Sequence, residues 1–188
     1  IRLEDTRAVV DHEREGWREN QRLGESLASV FDTTGDEVPE VLATSWRDDA
    51  TREVLLLDNV NNERLKSFTT QEDTQGSLGD ALTWGHFGAA DERALVFSAP
   101  QIAPSTPEEP TKGRVYMVTP GGNSLGITGV EDKDYGRQLM TLRREGEPDL
   151  LLVAGRGLLR VLGPNNQVIK DLTLNSDEVP SLAASSLP

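Results

Sequence analysis

Leu23-Gly24-Glu25-Ser26-Leu27-Ala28-Ser29-Val30-Phe31-Asp32-Thr33-Thr34-Gly35-Asp36-Glu37-Val38-Pro39-Glu40-Val41-Leu42 is the stretch that decides the fold. It runs from an apolar residue and a glycine through a short apolar segment, an acidic loop containing glycine, and a second apolar segment. The same order returns at residues 78–97 (LGDALTWGHFGAADERALVF) and 135–153 (YGRQLMTLRREGEPDLLLV). The opening glycines are Gly24, Gly79 and Gly136, spaced 55 and 57 residues apart. A near-constant period of this length marks a repeat protein and outranks any local signal.

Four strands are expected in each repeat. The first falls at 26–30, 81–85 and 138–142, and the second at 41–45, 95–98 and 150–153. The second runs are almost wholly apolar, as a strand buried on both faces requires, so Leu151, Leu152 and Val153 should all be core. The third falls at 54–58, 114–119 and 158–162, and the fourth at 65–69, 125–129 and 168–174. Between third and fourth strands stand Asn59-Val60-Asn61-Asn62, Pro120-Gly121-Gly122-Asn123 and Gly163-Pro164-Asn165-Asn166. Asn and Gly adopt positive φ at low cost, so these are hairpin turns. Residues 101–112 (QIAPSTPEEPTK) hold three prolines and read as an exposed loop between second and third strands.

Four short antiparallel strands per repeat are the pattern of a propeller blade. A β-sandwich explains many short strands but not the threefold return of the whole pattern. The expected fold is all-β: a β-propeller segment of about three four-stranded antiparallel blades plus a partial N-terminal one. Residues 1–22 are a leader or the end of a preceding blade, with a short strand at 6–10. Residues 23–77, 78–134 and 135–175 are the three repeats, and 176–188 a loose tail.

The chain has 188 residues and a net charge of −13. That balance disfavours nucleic acid, whose phosphates need a basic face. No apolar run approaches the roughly 20 residues of a membrane helix, so direct insertion is not expected. With no cysteine, disulfides, thiolate zinc sites and cysteine nucleophiles are excluded. The charged start Ile1-Arg2-Leu3-Glu4-Asp5 does not read as a signal peptide, and a first residue other than Met raises the expectation of sequence upstream.

The loop of the first repeat carries the one concentration of ligand-type residues. Oxygen side chains alternate at Asp32, Thr34 and Asp36, and Glu40 closes the loop. Gly35 permits the bend. Calcium takes six to eight oxygens, and Asp32, Thr34, Asp36, the carbonyl of Val38 and Glu40 could supply most of them. A metal-free acidic turn is the competing reading.

These residues resemble the FG-GAP repeat of integrin α-subunit β-propellers. That pattern opens on Phe-Gly, matched by Leu23-Gly24, Leu78-Gly79 and Tyr135-Gly136. It continues through an Asp-x-Asn-Gly-Asp-Gly-x-x-Asp loop to an apolar strand ending Gly-Ala-Pro, matched by Val41-Leu42-Ala43, 95–100 (LVFSAP) and 150–155 (LLLVAG). The third strand is similar at 113–118 (GRVYMV). The resemblance covers roughly residues 22–174. It implies a protein-binding, adhesion or scaffold module at the cell surface or outside the cell, with loop-bound Ca2+. It also implies a ring completed by a protein partner or further chain, so an oligomer is possible.

The departures are specific. Thr34 stands for Asn, Glu37 for Gly and Glu40 for the last Asp. In the second loop His86, Ala90 and Ala94 stand at carboxylate positions, so no calcium is expected there. The third loop is two residues shorter, and Arg143 and Arg144 are expected to pair with Glu145 or Asp149 in place of a cation.

Nothing in the sequence marks an enzyme. His12 and His86 are far apart, without a ligand motif or nucleophile elbow beside them. Trp17, Trp46 and Trp84 read as packing residues, with a sugar platform as the alternative. The other functional readings are an accessory propeller of a secreted hydrolase and a structural subunit of an extracellular assembly.

Overall fold

A computed structural model describes residues 2–4, 7–9, 22–47, 51–61, 63–70, 77–87, 92–102, 112–131, 134–174 and 178–182. The strands fall into three four-stranded antiparallel sheets and one two-stranded hairpin, β1 (Arg2–Glu4) with β2 (Arg7–Val9). Sheet 1 is β3 (Leu27–Ser29), β4 (Val41–Trp46), β5 (Arg52–Leu57) and β6 (Arg64–Phe68). Sheet 2 is β7 (Leu82–His86), β8 (Arg93–Ile102), β9 (Lys112–Val118) and β10 (Ser124–Glu131). Sheet 3 is β11 (Gln138–Leu142), β12 (Leu150–Gly155), β13 (Leu158–Leu162) and β14 (Val168–Thr173). In each sheet the spatial order is the chain order. Among the described residues the only helix is a 3-10 turn, Pro164–Asn166, and no helix is long and apolar enough to cross a membrane. The all-β expectation and its division into three four-stranded units therefore hold.

Turn chemistry explains the strand ends. Asp58 accepts the N–H groups of Val60 and Asn61 at 2.7 and 2.8 Å and closes the β5–β6 turn. Gly122, Asn165 and Asn166 take φ of 93°, 56° and 60°, the left-handed conformation expected of Gly and Asn. Each opening glycine is also left-handed, at 87° for Gly24, 80° for Gly79 and 94° for Gly136. Their N–H groups donate to the carbonyls of Thr44, Ser98 and Ala154 in the second strand of the same sheet, at 2.7, 2.6 and 3.1 Å. The recurring glycine is thus a backbone requirement of the repeat.

Side chains on opposite faces of each strand build separate cores. Leu42, Val54, Leu56 and Phe68 of sheet 1 pack against Leu95, Phe97, Tyr116 and Val118 of sheet 2. On the other face of sheet 2, Val96, Val115 and Met117 pack against Leu151, Val153 and Leu162 of sheet 3. The inner strands also meet, β3 with β7 and β7 with β11. Behind sheet 1, Ala43, Leu55 and Leu57 are buried with Leu23 against them.

Two expectations change. Strand β12 is not buried on both faces: Leu151 and Val153 are, but Leu150 and Leu152 are half-buried. They lie on the side of sheet 3 facing away from sheet 2. The proline-rich loop begins later than expected, because β8 runs on to Ile102, which pairs with Lys112 and is itself core. Pro100 sits where the β8–β9 register shifts between Ala99 and Ile102, a place where its missing N–H breaks no regular ladder. His12, Trp17 and residues 103–111 lie outside the described residues.

Candidate functional site

The acidic loop joins β3 to β4, and its base is closed by the Val30 N–H donating to the Glu40 carbonyl at 2.9 Å. Inside it, the Asp32 carboxylate accepts backbone N–H groups from Thr34 (3.0 Å), Gly35 (2.6 Å) and Glu37 (2.8 Å). Glu40 is buried and accepts the Thr33 N–H at 2.5 Å and the Thr34 hydroxyl at 3.1 Å. Asp36 is exposed and accepts the Val38 N–H at 2.9 Å. Glu37 sits at φ 68°, at the position where the FG-GAP pattern has glycine.

One carboxylate oxygen each from Asp32, Asp36 and Glu40 lies within 4.8 Å of the others. The Thr34 hydroxyl reaches both Asp32 and Glu40, at 3.4 and 3.1 Å. Val38 is tied in by its N–H. The donor set is all oxygen, which suits a hard cation such as calcium. The same oxygens already hold the loop through its backbone, however, and a carboxylate has only about four lone-pair sites. The loop is therefore held together by its own hydrogen bonds, and a cation would share oxygens that are partly committed.

Those hydrogen bonds hold the Asp32 carboxyl below the usual aspartate value, the Gly35 N–H first among them, then that of Glu37. Asp171 on β14 is held down by Arg160 on β13, which donates two hydrogen bonds of 2.7 Å. Both groups bind protons more weakly folded than unfolded. The stability they contribute is present above the ordinary Asp pKa of about 3.9 and is lost as pH falls through the lowered folded values. The melting temperature is accordingly expected to decline below roughly pH 4, and more shallowly in Asp32→Ala than in wild type. Parallel pH profiles for the two proteins would remove Asp32 from the account.

The third loop uses its acid differently from the expectation. Asp149 is buried, accepts the His86 N–H of sheet 2 at 2.9 Å, and returns its own N–H to the His86 carbonyl at 2.7 Å. It ties two sheets together, and from Arg144 it accepts only the backbone N–H, at 3.3 Å, not the guanidinium. The Arg144 side chain instead pairs with Glu147 at 2.5 Å and bonds the Pro148 carbonyl. Arg143 lies over the Trp84 ring, 3.7 Å from its centroid, and Phe31 packs 4.9 Å from that ring. Trp84 is thus engaged by two neighbours, which favours packing over a sugar platform. Trp46 carries Arg52 at 4.9 Å. Ala94 lies within β8 and is core, so the second loop is shorter than its sequence suggests.

An ionic seam that the sequence did not reveal crosses the edge where the sheets meet. Arg52 bridges Glu25 and Asp80, and Asp80 also receives Arg137 at 3.0 Å. Glu25, Asp80 and Arg137 each follow an opening glycine, and that shared position was the one available signal. The Ser26 hydroxyl donates to the Asp80 carbonyl at 3.0 Å beside them.

No protein-family model and no curated protein matches the chain. A solved structure similar to it is that of a protein of unknown function from Bacteroides caccae, at 12% identity and a TM-score of 0.40. The match covers 72% of this chain and 42% of that one, so the chain corresponds to less than half of that protein's length.

Proposed function

We propose that the chain is a non-catalytic stretch of an FG-GAP-type β-propeller. In this reading it acts as a protein-binding or scaffold module, at the cell surface or outside the cell. The observation that supports this most is one seam made twice. Gly79 of sheet 2 lies against Thr44 and Val54 of sheet 1, and Gly136 of sheet 3 against Ser98 and Val115 of sheet 2. Thr44 pairs with Val54 across β4–β5, and Ser98 with Val115 across β8–β9, so the two seams use equivalent positions. Successive sheets joined by one repeated contact, with inner strands touching, support the reading of blades set around an axis. A module of this kind offers loops and faces to a partner, and its sequence carries no nucleophile or acid–base motif.

Native mass spectrometry with and without millimolar calcium tests the reading. The chain of 20.6 kDa is expected in assemblies larger than itself, with apolar surface that binds dye. A compact monomer that binds no dye would overturn it. Calcium belongs to the same proposal, held by Asp32, Asp36 and Glu40. It is expected to raise the melting temperature of wild type and not of Asp36→Asn. A curve indifferent to calcium and chelator would leave the loop a metal-free turn.

A further inference from the structure

We infer that the cleft between the outer strands of sheets 1 and 2 binds a small organic acid, a flat apolar body bearing one carboxylate. The inference does not need the propeller reading, because two neighbouring sheets form the cleft whether or not a ring closes. Its volume is about 550 Å3, within the roughly 300–1,000 Å3 of small-molecule sites. Phe68, Phe97, Tyr116, Val118 and Ile127 supply its apolar walls. The Phe68 and Phe97 ring centroids stand 5.4 Å apart, and Phe97 stacks on Tyr116 at 5.7 Å. Ile127, 57% exposed, is on the same face as Tyr116, its partner across β9–β10. Lys66 is the one charged residue of the lining, and it forms no ion pair among the described residues.

The next cleft, between sheets 2 and 3, is built from equivalent positions and is filled. Thr44 with Val54, and Ser98 with Val115, are matching pairs, so the registers set Gly126 and Thr128 of β10 where Lys66 and Phe68 stand on β6. The turns match as well. The Thr119 N–H donates to the Asn123 carbonyl at 2.9 Å, as the Gly163 N–H does to that of Gln167 at 2.8 Å, so Gly122 stands where Asn166 does. At the second cleft the Asn166 side chain lies against Gly126, and its turn packs on β10. Arg160, at the position of Tyr116, is engaged by Asp171 and lies over the Tyr135 ring. At the first cleft the pair is reversed. The turn brings a bare glycine and the strand brings the lysine, whose Cε and Nζ would stand 3.0 and 3.4 Å from a Cβ at Gly122. The sequence thus removes the plug, lines the space with rings and sets an ammonium at its edge. An ammonium beside apolar walls favours an anion, because a lower dielectric strengthens the pair. One cation matches one carboxylate, and the net charge of −13 disfavours a polyanion.

Calorimetric titration of the 188-residue chain with naphthoate, and with the neutral naphthalenemethanol, tests this. Naphthoate is expected to bind at millimolar concentration, about threefold or more tighter than the alcohol, the size of a partly screened ion pair. Lys66→Gln, at an exposed position, should erase that difference. Ile127→Thr, exposed and still β-branched, should weaken both probes. Leu172→Ser, at an exposed apolar position of sheet 3, should leave both unchanged. No binding of naphthoate, equal binding by wild type and Lys66→Gln, or loss of binding in Leu172→Ser would overturn the inference. So would binding of a blocked Trp-Asp dipeptide where naphthoate does not bind, which would assign the cleft to a segment of a partner protein. Each of these results leaves the propeller module standing, since that reading turns on assembly size.

Discussion

Gly79→Ala is expected to destabilise the fold by about 2–6 kcal/mol, a large share of the roughly 5–15 kcal/mol that holds a domain together. Two costs add. At φ 80° a side chain enters a conformation that costs about 1–3 kcal/mol without glycine. A Cβ there would also run into the Thr44 side chain and come within 2.8 Å of Val54 Cγ2, overpacking the seam by about another 1–3 kcal/mol. Gly24→Ala separates the two. Its φ is 87°, yet its Cβ would meet only Leu27, at 3.5 Å or more, so only the conformational cost applies. Urea unfolding of both variants checks this. Equal losses for Gly24 and Gly79 would mean that the sheets do not meet at Gly79.

The second large effect contrasts two equivalent leucines. Leu42→Ala should cost about 2–5 kcal/mol, because it leaves a cavity under sheet 2. Leu152→Ala, at the matching place in sheet 3, should cost only about 1–2 kcal/mol in the 188-residue chain, since water already reaches the side chain. Denaturant midpoints at constant m-value give both numbers. Equal costs would show that the outer face of sheet 3 is covered as fully as that of sheet 1.

The strands were legible because their signals are local. Glycine at fixed steps, Asn-rich turns and short apolar runs all report on neighbours in the chain. Turn geometry confirmed Asn165 and Asn166 for that reason. What sequence could not supply was the partner of each face. Leu150–Val153 reads as one uniform apolar run, but its two faces meet different surroundings, and only the stacking of sheets decides which side is closed. Asp149 shows the same limit: arginines lie close in sequence, yet the acid turns to the His86 N–H of another repeat, 63 residues away. The acidic loop was legible as a cluster, since Asp32, Asp36 and Glu40 lie within nine residues. That its oxygens are already occupied by backbone N–H groups was not, because hydrogen-bond direction inside a turn depends on φ and ψ at Gly35 and Glu37.

The order of strands within each sheet has a consequence for how the chain assembles. No strand of the three sheets skips over another to find its place. Each unit, such as residues 27–68, can pair from a continuous piece of chain, so every ladder closes a short loop and the entropy of closure stays small. Low separation between paired residues favours fast folding. The distant contacts, Gly79 on Thr44 and Asp149 on His86, join one unit to the next, and this topology is expected to let assembly proceed by stacking units that have already paired their strands.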